Sequence, residues 1–205
     1  MRSVKIALSI LLLVLIYPSL FAAEKAYQID SKQSRLMIHV GTAGAFSFAG
    51  HPHEIAARSV TGTVRTSADN PESSSVEITI KSDSLEETEQ KFSAQDLTTI
   101  NTKMKNEVLE VSKYPEITFK STKVTLTKRN GDSYEIHVDG NLTLHGVTKP
   151  ISLPMTVSLN ESSLKATGQF SILRDDFNIN TSSAGGGTVK VAKELKVSLE
   201  IVASS

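Results

Sequence analysis

The sequence predicts an all-β domain of eight antiparallel strands, folded as a sandwich or a barrel, with one amphipathic helix. Short runs that alternate apolar and polar residues recur along the chain, as expected where one face of a sheet covers a core. Clusters of turn residues separate the runs, for example at 69–71, 130–132 and 160–163. This spacing favours an antiparallel architecture over alternating strand and helix units. The predicted strands are residues 35–40, 59–66, 75–81, 116–126, 134–144, 151–159, 164–173 and 190–202.

The later strands show which residues should point toward the core. Successive side chains of a strand lie on opposite faces, so apolar residues of one parity face inward together. We expect three inward sets, one on each of three strands. They are Tyr134, Ile136, Val138, Leu142 and Leu144; Phe170 and Ile172; and Leu195, Val197, Leu199 and Ile201.

Residues 95–113 break the two-residue period and predict the helix. Ser93 followed by Asp96 resembles a capping box, and Pro115 should stop the helix. A single helix in an all-β chain usually plugs a barrel mouth or covers a sheet edge. Its apolar positions, spaced by three and four, should pack on the core and are Leu97, Ile100, Met104, Val108 and Val111.

The first 23 residues have the pattern of a secretory signal peptide. Arg2 and Lys5 precede an apolar run at 6–16, which Pro18 interrupts before Ala23. We therefore predict a signal peptide at 1–23 and a single domain at 24–205, located in the periplasm or secreted, without an integral membrane segment. A retained amphipathic anchor is the alternative interpretation of the same residues.

Composition excludes several classes of function. The chain has 22 basic and 22 acidic side chains, which disfavours a nucleic-acid-binding protein. With no cysteine, disulfides, thiolate metal sites and cysteine nucleophiles are excluded. We find no G-x-S-x-G elbow, P-loop or H-E-x-x-H motif, and we predict neither an enzyme nor a cofactor. The carboxylates of Glu86, Glu87 and Glu89 are interpreted as a solvated charge run.

Residues 140–150, G-N-L-T-L-H-G-V-T-K-P, resemble the signature hairpin of the YceI-like family of periplasmic lipid-binding barrels. Two further segments agree with the family, Y-P-E-I-T-F-K-S-T at 114–122 and F-x-I-x-R-x-x-F-N-I at 170–179. We interpret the hairpin as a strand, a corner at Gly146, a turn closed by Lys149 and Pro150, and a second strand. Three segments depart from the family pattern, at 50–55, 94–97 and 185–187.

The resemblance implies a lipocalin-like antiparallel eight-stranded β-barrel, with the amphipathic α-helix at its mouth and a long-chain isoprenoid or other lipid inside. Arg174 would then hold a phosphate or carboxylate at the mouth, or form a salt bridge to Asp175, Asp176 or Glu54. The sequence is compatible with a homodimer. The predicted ligand-binding residues are Phe46, Phe48, Ile100, Met104, Phe119, Leu142, Leu144, Phe170, Ile172, Arg174 and Phe177.

His51 and His53 are the best candidates for other chemistry. Residues two apart on a strand point the same way, so both imidazoles could hold one metal ion, with Glu54 nearby. No other histidine stands in a motif that marks it as a third nitrogen ligand. We therefore predict no metal site and favour a polar corner or contact with a ligand head group. The alternative functions are a metal-dependent enzyme or metal-binding module that uses this histidine pair, and a stress-response structural domain with a filled barrel.

Overall fold

The structure is a computed structural model that describes residues 24–44, 50–67, 69–180 and 190–205. The predicted signal peptide, Phe46, Phe48 and the segment 185–187 lie outside the described residues. The strands within these ranges are β1 (Lys25–Ile29), β2 (Arg35–Ala43), β3 (His53–Ala57), β4 (Val60–Thr66), β5 (Ser75–Lys81), β6 (Leu85–Glu87), β7 (Glu116–Asn130), β8 (Ser133–Leu144), β9 (Val147–Leu159), β10 (Ser163–Leu173) and β11 (Lys190–Ser204).

Eight of these strands form a closed antiparallel barrel, which confirms the predicted fold. The ring runs β1-β4-β5-β7-β8-β9-β10-β11 and closes where β1 pairs with the end of β11. The remaining strands extend the wall on one side, since β2 pairs with β11 and β3, and β6 pairs with β3. The prediction missed β1, β3 and β6, which have only 5, 5 and 3 residues and are too short to display a clear alternation.

A helix, α1 (Ala94–Lys103), follows β6 and continues into a π-helical turn, Met104–Val108. The capping prediction is confirmed: the Ser93 hydroxyl accepts from the Asp96 N–H at 3.1 Å and donates to its carboxylate at 2.7 Å. The helical segment is shorter than predicted, because Glu110 adopts a left-handed φ of 46°. Met104 is only 8 % exposed and packs in the core with Val108. None of the described helices is long and apolar enough to cross a bilayer.

The hairpin between β8 and β9 turns on two residues. His145 and Gly146 have φ angles of 50° and 74°, the positive values that a two-residue hairpin turn of the primed type needs. Leu144 pairs with Val147, and β9 continues through Pro150. The predicted turn at Lys149 and Pro150 was therefore wrong, because the chain has already reversed before it reaches them.

Strands β9 and β10 are paired over only part of their length. Their ladder ends at Gly168 and Met155, next to Pro154, which has no N–H to donate to a neighbouring strand. Beyond this point, the 3-10 turn Arg174–Phe177 packs against β9. Phe177 is 1 % exposed and joins the core that fills this side of the barrel.

Candidate ligand-binding site

An apolar cavity of about 300 Å³ occupies the barrel at the side covered by α1, and it is partly open to solvent. Inward-facing side chains of the strands form most of its wall, while the helical segment supplies Ile100 and Met104. The strand side chains in this wall include those predicted to face inward from the alternation of apolar and polar residues. Of the predicted ligand-binding residues, those that line the cavity are Ile100, Met104, Leu142, Leu144, Phe170, Ile172 and Arg174.

The other predicted residues lie elsewhere. Phe119 is buried but lines a second, smaller apolar chamber of about 80 Å³ at the other side of the barrel. Phe177 packs inside the core, and Ile179 rather than Phe177 contributes to the wall of the larger cavity. Phe46 and Phe48 fall outside the described residues, so their predicted position at the mouth stays a prediction.

Four polar side chains stand in the wall of the larger cavity, and they come from the ends of elements. His53 begins β3 and Glu87 ends β6, while Lys103 ends α1 and Arg174 directly follows β10. Three of these residues are basic types, which can attract an anionic group at the mouth of an otherwise apolar cavity.

Glu87 is the most buried of these polar groups, with a side chain that is 0 % exposed. One carboxylate oxygen, Oε1, accepts the backbone N–H groups of Glu54, Thr88 and Glu89 at 2.9–3.0 Å. The other, Oε2, lies 2.7 Å from Nδ1 of His53. The interpretation of Glu87 as part of a solvated charge run was wrong, because the side chain is fully buried and its carboxylate is hydrogen-bonded on both oxygens.

The two candidate histidines have different surroundings. His53 stacks on the Phe92 ring at 5.5 Å and uses Nδ1 for Glu87, whereas His51 is exposed and meets the edge of Phe92 at 6.0 Å. Glu54 lies 2.5 Å from Nδ1 of His39 rather than beside His51. Within the described ranges, no group of three or more His, Cys, Asp or Glu side chains is placed to hold a metal ion.

Arg174 connects the end of β10 to two neighbouring segments of the same chain. Its guanidinium donates to the carbonyl of Ile179 at 2.8 Å and to that of Ala192 at 3.3 Å. Of the salt-bridge partners expected, Asp175 is present at 3.2 Å. A hydrogen bond from Lys193, at 2.7 Å, holds the pKa of the Asp175 carboxyl below its usual value, and the Arg174 charge acts in the same direction.

His145 links three segments beside the cavity. Its Nε2 lies 3.0 Å from the Glu110 carboxylate and its Nδ1 3.3 Å from the Phe177 carbonyl, while its ring contacts Tyr114 at 4.3 Å between centroids. The side chain is 9 % exposed, and the turn it occupies is fastened to the segment that follows α1.

Comparison with known proteins places the chain in a family. A model described as the YceI-like domain matches residues 27–203. The chain belongs to the YceI-like family. The resemblance carried by the hairpin and the two flanking segments is thereby confirmed, over nearly all of the region expected from the sequence.

Relatives and solved structures agree with this family. A UPF0312 protein of Yersinia pestis is 43 % identical over 81 residues, a match that covers 36 % of this chain and only 38 % of that relative's length. The Burkholderia cenocepacia protein BcnA has a TM-score of 0.65 at 22 % identity, covering 85 % of this chain and 98 % of BcnA.

A polyisoprenoid binding domain from Saccharophagus degradans, described as implicated in plant cell wall breakdown, has a similar structure. Its TM-score is 0.63 at 15 % identity, with 87 % of this chain and 98 % of that domain covered. At these identities, the two structural matches establish the shared barrel fold and nothing finer.

Proposed function

We propose that this YceI-like protein is an exported binding protein that holds a long-chain apolar ligand, an isoprenoid or another lipid, inside its barrel. The observation that carries the proposal is the apolar cavity of about 300 Å³ between the strands and α1. The Saccharophagus degradans neighbour, named as a polyisoprenoid binding domain, supports the choice of ligand class.

The size of the cavity favours a ligand tail over a small molecule. An apolar cavity of about 150 Å³ accommodates benzene, so the larger cavity here has room for roughly a dozen carbon atoms. Burial contributes about 0.8 kcal/mol per methylene, while association costs about 4–15 kcal/mol. A tail that fills the cavity therefore gains about 10 kcal/mol, enough to offset much of that cost.

The polar residues in the wall suit a ligand with a polar or anionic head. Lys103 and Arg174 line the cavity together with His53, and cationic groups form charge-assisted hydrogen bonds with phosphate or carboxylate. We infer that the head group lies at this end, with the tail directed toward the middle of the barrel. The signal pattern at 1–23 supports export to the periplasm or the medium.

Identifying a bound lipid tests the proposal directly. The untagged native protein would be extracted with organic solvent and the extract analysed by mass spectrometry, with a stoichiometric long-chain lipid as the expected result. Metal analysis of the same sample tests the alternative of a metal-dependent protein. A barrel filled only by its own side chains would yield no lipid and would take up none after delipidation.

A variant pair locates the ligand. Leu144 lines the cavity on β8, whereas Asn141 is exposed on the same strand. Leu144→Trp should reduce uptake of a fluorescent fatty-acid probe at least tenfold, and Asn141→Trp should leave it unchanged. Equal uptake by the Leu144→Trp variant and the wild type would mean that the ligand lies elsewhere or that there is none.

A further inference from the structure

The barrel interior is divided into two chambers whose linings meet at two glycines. Along β8, Val138 faces the chamber of about 80 Å³ and Leu142 faces the cavity of about 300 Å³. Gly140 lies between them on the same face of the strand. On β10, Gly168 lies between Ala166, which lines the smaller chamber, and Phe170, which lines the larger cavity.

Two large side chains occupy the space that these glycines leave. A Cβ atom added at Gly140 would collide with the ring of Phe119, and one added at Gly168 would collide with the sulfur of Met155. Phe119 and Met155 both line the smaller chamber. These four residues lie where the two linings meet, and we call them the waist: Phe119, Gly140, Met155 and Gly168.

We propose that the waist is a chain-length selector for the ligand tail. This inference rests on the proposed function, because it concerns how far a tail reaches into the same barrel. A tail of up to roughly a dozen carbons fits the larger cavity and ends at the waist. A longer tail reaches the smaller chamber only when the side chains of Phe119 and Met155 rotate away from their glycines.

The residue types suit such a movable barrier. Methionine has three rotatable bonds and adapts to irregular apolar space, and a ring that lies over a glycine meets no side chain at that position. Each methylene that stays in the larger cavity raises affinity about fourfold. Beyond the waist the gain per methylene should fall, because it is offset by displacement of Met155 and Phe119.

Four variants separate the waist from the rest of the site. Met155→Ala opens the waist, and Ala166→Leu fills the smaller chamber without touching the larger cavity. Met37 has the opposite parity to Leu36 and Ile38, which line the larger cavity, and it lines only a groove that Met155 and Gly168 also reach. Met37→Ala is therefore the matched control for truncating a methionine outside the interior. Met155→Leu, which keeps the volume, shows whether an effect of Met155→Ala reflects the opening or a loss of stability.

The experiment titrates delipidated protein with three isoprenoid alcohols of increasing length, geraniol, farnesol and geranylgeraniol. Binding is measured by isothermal titration calorimetry or by displacement of a fluorescent probe. In the wild type, we expect affinity to rise steeply from geraniol to farnesol and to level off toward geranylgeraniol. Met155→Ala should raise the affinity for geranylgeraniol at least tenfold, and adding Ala166→Leu to that variant should remove the gain. Geraniol affinity should change less than twofold in both, and Met37→Ala should resemble the wild type. Met155→Leu keeps the barrier and is stiffer than methionine, so it should not raise the affinity for geranylgeraniol.

The outcomes distinguish the two proposals. If all three alcohols bind but their relative affinities are the same in every variant, the waist does not select chain length, and the barrel still functions as a binding protein. If Met155→Leu shifts the length dependence as Met155→Ala does, the opening is not the cause and the inference is overturned. If none of the alcohols binds to any form, the proposed function for this ligand class fails as well.

Discussion

Glu87→Ala should destabilise the protein far more than the same change at its neighbour Glu86. The Glu87 carboxylate is fully buried and accepts three backbone N–H groups as well as pairing with His53. Glu86 has a side chain that is 46 % exposed and pairs with Arg58 at 3.1 Å on the surface. The two glutamates are adjacent in the chain but differ completely in what their removal leaves behind.

The magnitude follows from the partners that lose their acceptor. Each buried donor left unsatisfied costs about 1–3 kcal/mol. The N–H groups of Glu54 and Glu89 lose this acceptor, whereas the Thr88 N–H keeps the Glu54 carbonyl at 2.7 Å. We therefore expect a loss of about 2–6 kcal/mol for Glu87→Ala. An exposed ion pair contributes about 0–1 kcal/mol, so Glu86→Ala should cost less than about 1 kcal/mol.

Urea unfolding followed by circular dichroism measures both free energies of unfolding. Glu87→Gln is the informative intermediate, because its amide oxygen can still accept the backbone N–H groups while its charge is lost. It should retain more than half of the stability that Glu87→Ala loses. If Glu87→Ala and Glu86→Ala unfold at the same urea concentration, the buried carboxylate does not anchor β3, β6 and the loop before α1.

Two further changes test the helix and the hairpin. Met104→Asp places a charge at a core position that is 8 % exposed and should destabilise the protein by several kcal/mol, seen as a large fall in melting temperature. Stability like that of the wild type would show that the helical segment does not pack on the core. Gly146→Ala combines a φ of 74° with a Cβ only 2.5 Å from Tyr114 and should cost about 1–3 kcal/mol. Gly131→Ala, with a φ of 59° and open space around it, should cost clearly less, and an equal loss would show that strain alone explains both.

The parts of the fold that follow a strong local pattern were predictable from the sequence. The alternation along β8, β10 and β11 gave the inward faces, and Ser93 with Asp96 gave the start of α1. The corner at Gly146 was predicted, but the turn was wrongly extended to Lys149 and Pro150, because proline is common in turns and only the strand register shows that β9 already begins at Val147.

The site was predictable only in part, because it depends on contacts between distant segments. The alternation along the strands assigns Leu142, Leu144 and Phe170 to the inward face. It does not show whether that face lines a cavity, because a packed core has the same alternation. The burial of Glu87 had no local signal, since its partners include His53 and Glu54, which lie on β3 and β3 pairs with β6 only in the folded sheet. The waist was likewise hidden, because it depends on which side chain from β7 or β9 covers each glycine.

Closure of the barrel has a consequence for how the protein folds. The ring is completed by two residue pairs, Gln28 with Ser204 and Ile29 with Ala203, and by the Asp30 N–H that donates to the Val202 carbonyl. These contacts join the first described strand to the last. Contacts between residues so far apart in sequence carry a large loss of chain entropy and form slowly. We therefore expect the seven other strand pairings of the ring to form first and this seam to form last. Until then, the apolar interior is open at this seam.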